Sequence, residues 1–452
     1  MDISPKLSKA KREQLYQNYR RNKTIPNLVK WKQARAQHKH DVKESKKNSW
    51  RKFVEQLNKK TPMAKIYEIM RKIKGRSQRK INILCENGQF FSSVPDIANR
   101  LVDSFSQISS NEHYPLEFQQ LKTNCEQRTP NFNSDNTEIY NSLFKMNELE
   151  NALDRVHDTS PGEDKINYQM VKKLDNNSKN YILNVFNKFW VEGYFPAEWQ
   201  HSVIIPIPKP GKAHSKSDNY RPIAITSCLC KLLERIINNR LIHYFEMHKV
   251  ITPTQCGCRR GRSTTDHLVR LESVIRVAFD NSEHFISVFF DLEKAYDRTW
   301  RHGIVMDMHR VGLRGRLPIY IAEFLKHRTL SVKIGNYMSG RKVQQNGVPQ
   351  GSVLSVTLFA LKINDIIGQI PKDPHFNYSL YIDDLQIGYH HTDTNIIQRA
   401  LQQCINQICP WSSDNGFKFS PQKCTAMHFN MLQGLHISPI LTLNNLKHPI
   451  LQ

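Results

Sequence analysis

The tetrapeptide Tyr381-Ile382-Asp383-Asp384 lies between two short apolar stretches, and a third aspartate closes another apolar run, Ile286-Ser287-Val288-Phe289-Phe290-Asp291. Neighbouring aspartates at a strand tip repel one another, and a turn gains nothing from that arrangement unless a cation neutralises the charge. Three carboxylates placed this way point to metal-dependent nucleotidyl transfer. Taken alone, the tetrapeptide also reads as a solvated hairpin turn, because Asp tolerates left-handed backbone. If the Ile286–Phe290 strand lies beside the hairpin of residues 376–389 in one sheet, Asp291, Asp383 and Asp384 reach the same sheet end.

That placement makes a cage for two divalent ions. Carboxylate oxygens are hard ligands suited to Mg²⁺ or Mn²⁺, and Mg²⁺ keeps several positions for water and substrate phosphates. A metal pair roughly 4 Å apart activates an attacking hydroxyl and stabilises departing pyrophosphate in an in-line displacement. The nucleophile such a site requires is a primer 3′-hydroxyl.

The chain of 452 residues is long enough for two or three domains, yet only 39% of it is hydrophobic, so part of it is not core. Its formal charge of +24 is uneven: residues 1–80 hold 25 basic and 6 acidic side chains, a net +19, which leaves +5 for the rest. The basic segment reads either as a footprint for a phosphate backbone or as a solvated helical linker. No signal peptide opens the chain at Met1-Asp2-Ile3-Ser4-Pro5, and no apolar run is long enough to span a bilayer. The expectation is a soluble intracellular protein of nucleus and cytoplasm, with no membrane partner. Nine scattered cysteines fit reduced thiols, and the spacing of Cys228 with Cys230 and Cys256 with Cys258 is too tight for structural zinc.

Residues 1–80 read as charged helices divided at Pro26 and Pro62, with Trp31, Trp50, Phe53, Leu57, Ile66, Ile69 and Ile73 as anchors. A hairpin turning at Asn87-Gly88 is expected over Ile81–Phe91, then a helix over Val94–Ile108. The polar stretch 109–136, with Pro115 and Pro130, reads as a linker, with the compact domain beginning after it. Helices follow over Met146–Val156 and Ser178–Glu192, and Leu229–Phe245 has apolar residues at helical spacing. The prolines of Val203-Ile204-Ile205-Pro206-Ile207-Pro208 confine that strand to a sheet edge or an extended arm. Ile382, being β-branched, suits a strand, and a helix is expected from about Leu292.

These residues resemble the reverse transcriptases of non-LTR retrotransposons, most of all the jockey-like group, over about residues 150–430. Phe289-Phe290-Asp291-Leu292-Glu293-Lys294-Ala295-Tyr296-Asp297 resembles the first catalytic palm motif, and Tyr381-Ile382-Asp383-Asp384 the second. Asn346-Gly347-Val348-Pro349-Gln350-Gly351-Ser352 resembles the substrate-positioning motif between them. Tyr220-Arg221-Pro222-Ile223 and Gln255-Cys256-Gly257-Cys258-Arg259-Arg260-Gly261-Arg262-Ser263-Thr264 resemble two fingers motifs, and Gly416–Lys423 the last palm motif. The order of all six is the family's. The resemblance implies an α+β right-hand polymerase with an antiparallel palm sheet flanked by helices, mostly helical fingers and a thumb that is absent or truncated. It divides the chain into a basic helical linker (1–80), an N-terminal extension and linker (81–145), fingers (146–285) and palm (286–452).

The resemblance implies an RNA-directed DNA polymerase acting on RNA template, DNA primer and dNTPs. Asp291, Asp383 and Asp384 would bind the ions, with the Leu292 carbonyl as a backbone ligand. Arg221 and Lys209 would meet the triphosphate, or be exposed side chains only. Tyr296 would crowd a ribose 2′-hydroxyl, a role compatible with anchoring its helix. Gln350 would approach the sugar from a loop opened by Gly347 and closed by Gly351. Lys423 would protonate the leaving pyrophosphate, or be a plain surface lysine. Arg259, Arg260 and Arg262 would face template phosphates, or form a solvated cluster, with Ser263 or Thr264 capping the next helix. Cys258 replaces the family's usual phenylalanine. The family's primer grip and thumb would follow Gln452, and its endonuclease would precede the basic segment. On that expectation the endonuclease is supplied by another chain, and an inactive remnant that only binds nucleic acid is the rival reading.

Overall fold

The computed structural model describes residues 4–55, 81, 83–86, 88–257, 259–431, 440–443, 446–448, 450 and 451. The chain divides into two units, residues 1–81 and residues 82–452. In the first, helix α1 (Ser4–Arg21) and helix α2 (Ile25–Glu55) form a hairpin. Tyr16 and Tyr19 pack on Trp31 with ring centroids 5.3 and 6.0 Å apart, and Ser8 meets His38 at 3.0 Å, an antiparallel pairing. No described residue of α2 is buried, so one aromatic seam and local pairs hold the two helices. The expected division at Pro26 is present: α1 ends at Arg21 and α2 begins at Ile25, with Pro26 in its first turn, where a proline gives up an N–H that has no helical partner. Leu57, Pro62, Ile66, Ile69 and Ile73 lie outside the described residues.

The second unit opens with a hairpin, β1 (Leu84–Glu86) and β2 (Gln89–Phe91), and with α3 (Val94–Ile108), capped by Ser93; the expected turn residue Asn87 is outside the described residues. The stretch 109–136 is no linker. It carries α4 (Leu116–Glu126), and Tyr114 and Phe118 pack edge-on to each other and, through Phe118, to Trp300. Trp300 donates to Glu126 at 2.9 Å. The apolar period is faint because this short helix buries only Phe118 and Lys122.

A helical core gathers α5 (Met146–Asp154), α6 (Asn176–Glu192), α7 (Cys228–Met247), α9 (Arg301–Arg310), α10 (Arg316–Leu325) and α11 (Val353–Ile363), while α8 (Thr264–Asp280) buries only Ala278. Trp190, Leu233, Ile237, Ile304, Leu317, Tyr320 and Leu358 fill it. One sheet runs β4 (Tyr220–Ile225), β3 (His201–Pro208), β6 (Thr329–Ile334), β7 (Tyr337–Met338), with β8 (Lys342–Val343) also on β6. Strand β3 is internal to it, yet β6 pairs only with His201–Ile204, so Pro206 and Pro208 sit where that side of the strand is already free.

The second sheet has the order β12 (Ile450–Leu451), β11 (Thr425–Phe429), β5 (His284–Phe290), β10 (Asp384–His391), β9 (Phe376–Tyr381). Ile286, Val288, Phe290, Leu385 and Ile387 pack with Ile397, Leu401 and Ile408 of α12 (Thr394–Asp414). Helix α11 is buried on nearly every face and serves both cores, Leu354 and Leu358 in the first, Phe359 and Ile363 in the second. This shared helix ties the loop before it to the sheet end that carries the aspartates. Among the described residues, no helix is long and apolar enough to cross a membrane.

Candidate active site

Strand β5 delivers Asp291 directly. Its ladder with β10 ends at Phe290 opposite Leu385, so the next step outward sets Asp291 opposite Asp384. Asp384 itself pairs with Tyr381, leaving Ile382 and Asp383 as a two-residue connection from β9 to β10. Ile382 is therefore a turn residue and not a strand residue, with φ of +61°. A β-branched side chain there costs about 1–3 kcal/mol and persists only when the surroundings impose it. The expected helix after Asp291 is also delayed: Lys294 is left-handed, and one short turn, Ala295–Arg298, precedes α9.

Burial pushes the Asp383 carboxyl up, and the charges of Asp384 and Asp291 push it further. Asp384 is raised by the same two causes, burial and then Asp291. Lys423 Nζ meets Asp291 Oδ1 at 2.7 Å and opposes both shifts. Among the described residues no three His, Cys, Asp or Glu side chains close on one point as a metal-ligand set. The donor chemistry nonetheless fits a hard divalent cation, which would relieve the repulsion that raises these carboxyls. Next to Asp291, the bridge from Leu292 to Phe419 uses the Asp291 carbonyl and the Glu293 N–H, not the Leu292 carbonyl.

Lys209, Lys294 and Arg221 form a cationic group that reaches the carboxylates through Lys423. Lys209 is lowered by burial and then by the charges of Lys294, Lys423 and Arg221. Lys209 donates to the Asp218 carbonyl at 2.7 Å, Lys294 pairs with the Asp218 carboxylate at 2.8 Å, and Arg221 is exposed. Tyr296 stacks on Phe359, centroids 4.7 Å apart. Gln350 donates to both oxygens of Asp297 at 3.1 Å, and its carbonyl accepts the Ala224 N–H at 2.8 Å. A side chain on Gly351, whose φ is +130°, would strike the Ala224 carbonyl at 2.5 Å. One on Gly347 would strike the Asp297 carbonyl at 2.5 Å. Both glycines are where the loop touches backbone.

The arginines of the stretch 259–262 separate. Arg259 pairs with Glu246 at 2.6 Å and donates to the Thr252 carbonyl at 2.8 Å, so its guanidinium is engaged within the fold. Arg262 donates to the Pro253 carbonyl at 2.8 Å, while Arg260 is exposed on a groove of about 1080 Å³ that Arg155 and Arg235 also line. Ser263 caps α8 in a reciprocal box with Asp266, as its position predicts. Cys258 is outside the described residues.

Residues 207–447 match the sequence profile of the family described as reverse transcriptase (RNA-dependent DNA polymerase). The chain belongs to that family. It is 26% identical over 409 residues to the probable RNA-directed DNA polymerase from transposon BS of Drosophila melanogaster, covering 87% of this chain and 44% of that protein. It is 28% identical over 293 residues to the RNA-directed DNA polymerase from mobile element jockey of the same species, covering 64% and 32% respectively. The jockey protein of Drosophila funebris gives 29% over 289 residues, 63% of this chain and 31% of the relative. The resemblance to jockey-like non-LTR elements is thus borne out, and the chain spans less than half the length of these relatives.

Three polar residues of this chain, Arg301, Glu234 and Gln255, escaped the sequence reading as site residues. Arg301 donates to the carbonyls of Gly347, Gln344 and Asn346 at 2.6, 2.8 and 3.0 Å, and burial lowers it to about 9. Glu234, 1% exposed, accepts from Ser352 Oγ at 2.5 Å and from the Val353 and Leu354 amides at 2.7 and 3.4 Å. Together they grip both ends of the loop carrying Gln350. Gln255 holds the Ile382 turn. The only sequence signal for any of them was Gln255's place inside a motif.

Proposed function

We propose that this chain is the polymerase portion of a non-LTR retrotransposon reverse transcriptase, adding dNTPs to a DNA primer 3′-hydroxyl on an RNA template. The observation that carries it is the β5–β10 ladder ending at Phe290 opposite Leu385, one step before Asp291 and Asp384, with Asp383 in the adjoining turn and Lys423 on Asp291 at 2.7 Å, next to the cationic group of Lys209, Arg221 and Lys294. Asp291, Asp383 and Asp384, with the Leu292 carbonyl, would hold two Mg²⁺ or Mn²⁺ ions. When bound, such ions activate the primer hydroxyl and neutralise the leaving pyrophosphate.

Arg221 and Lys209 orient the triphosphate by charge-assisted contacts. Tyr296, fixed against Phe359, crowds the sugar 2′ position, and Gln350, fixed by Asp297, approaches the same sugar. Lys423 is within reach of the reacting phosphates and can return a proton to pyrophosphate. Arg260 and Arg262 meet template phosphates. In this reading residues 146–285 act as fingers and 286–452 as palm. The helical hairpin of residues 4–55, with 16 basic and 4 acidic side chains, supports a second reading, nucleic-acid binding without synthesis.

Primer extension on an RNA template with Mg²⁺ or Mn²⁺ separates the two. Deoxynucleotide incorporation that falls to background in Asp384→Asn supports the polymerase. Salt-sensitive RNA binding without incorporation by the unsubstituted chain overturns it in favour of the second reading.

A further inference from the structure

We propose that Gln255 is a positioning residue that imposes the strained turn at Ile382 and thereby sets the metal-binding pose of Asp383. The proposal rests on the carboxylates being metal ligands.

The segment 254–256 lies along the outer side of β9. The Leu380 N–H donates to the Thr254 carbonyl at 3.1 Å and the Cys256 N–H to the Leu380 carbonyl at 2.8 Å, a parallel rung between Gln255 and Leu380. Where the strand gives way to the turn, backbone pairing stops and the Gln255 side chain continues it. Its Oε1 accepts the Ile382 N–H at 2.9 Å, and its Nε2 donates to the Ile382 carbonyl at 3.3 Å. One primary amide thus reads both peptide groups of a single residue, as a neighbouring strand would. The same Oε1 accepts the Gly257 N–H at 2.9 Å, and Gln255 is 1% exposed, so the amide has no freedom to swing away.

The remaining contact is steric. A side chain on Gly257 would stand 2.5 Å from both the Ile382 amide nitrogen and its Cγ1, so that segment presses flat against the turn. Left-handed backbone at a β-branched residue is unfavourable on its own. Without the amide, Ile382 relaxes toward negative φ, and Asp383, the next residue, swings away from Asp291 and Asp384. Partners standing behind metal ligands in this way commonly contribute a 10–100-fold effect on metal affinity.

The test uses the full chain and Mn²⁺ titration followed by electron paramagnetic resonance, with thermal unfolding beside it. Gln255→Met keeps side-chain volume and removes both hydrogen bonds. We expect it to weaken Mn²⁺ binding by roughly 10-fold or more. Ile382→Asn, a residue at ease in left-handed backbone, should retain wild-type binding alone and restore most of the loss when combined with Gln255→Met. A side chain that merely supported the fold would not be rescued in this way. Should Gln255→Met fail to fold, Gln255→Asn keeps the amide but falls one methylene short, and the same loss and rescue are expected. Unchanged Mn²⁺ affinity in the Gln255 variant, or a loss that Ile382→Asn leaves in place, overturns the positioning role while the carboxylate site stands. Absence of Mn²⁺ binding by the unsubstituted chain overturns the carboxylate reading, and the positioning role with it.

Discussion

Glu234 offers the sharpest test of how the loop carrying Gln350 is held. Helix α11 begins at Val353 with an N-cap, Ser352, whose own hydroxyl caps nothing. The cap comes instead from across the core, where the Glu234 carboxylate takes the Val353 and Leu354 amides and the Ser352 hydroxyl. Glu234→Gln keeps size and one acceptor but removes the charge facing the positive end of the helix, a loss of up to about 2 kcal/mol in a buried setting. Glu234→Leu leaves the amides without any acceptor and should cost about 3–5 kcal/mol, the range for stranding buried partners. Arg328, fully buried nearby and sensing the Glu234 charge, adds to the cost in both variants. Urea unfolding followed by tryptophan fluorescence gives both values. Because Gln350 lies two residues before the cap, the dNTP KM should also rise in the folded Gln variant. Equal stability of Glu234→Leu and the unsubstituted chain would refute the cross-core cap, and equal losses for Gln and Leu would refute the part assigned to charge.

Asp383→Asn should melt at or above the unsubstituted chain in metal-free buffer near neutral pH: its folded carboxyl is raised, so ionising it opposes folding, and the amide removes that opposition. Calorimetry with and without Mg²⁺ should show the order reversing once the cation is present. Asp297 is raised to about 6, chiefly by burial, so the stability it contributes is present below the ordinary carboxylate range and is lost as pH rises through about 6. Asp297→Asn should flatten that stretch of the melting-temperature profile, and an unaltered profile would count against the assignment. Gly351→Ala forces a side chain into the Ala224 carbonyl at a φ of +130° and should destabilise by about 1–3 kcal/mol while raising the dNTP KM. Gly340→Ala, with open space around it, serves as the neutral control in the same urea titration.

The candidate site was legible because its information is local. An apolar run ending in Asp291 and a hairpin ending in paired aspartates each announce themselves within a few residues, and the register then joins them. The helices over 94–108 and 176–192 were legible for the same reason, since apolar period and caps lie inside the segment. What was missed depends on distance in sequence. Glu234 and Val353 are 119 residues apart, and Gln255 and Ile382 are 127 apart. A polar residue on an otherwise apolar helix reads as exposed until its partner is known. The stretch 109–136 failed differently: its helix exposes most of its surface and is held by Tyr114 and Phe118 meeting Trp300. Ile382 misled through propensity, a strand-former placed where tertiary contacts override preference.

The rung between Gln255 and Leu380 also limits how this sequence can change in evolution. Along an extended segment, side chains alternate direction, so inserting or deleting one residue just before Gln255 would turn its amide away from Ile382 and aim a neighbour at it. Substitutions there can be graded, but changes of length cannot. The stretch from Thr254 to Gly257 should therefore keep its spacing to β9 even in relatives whose surrounding loops have grown or shrunk. An aligned gap within those four positions would mark a copy whose carboxylates survive in sequence but have lost their geometry.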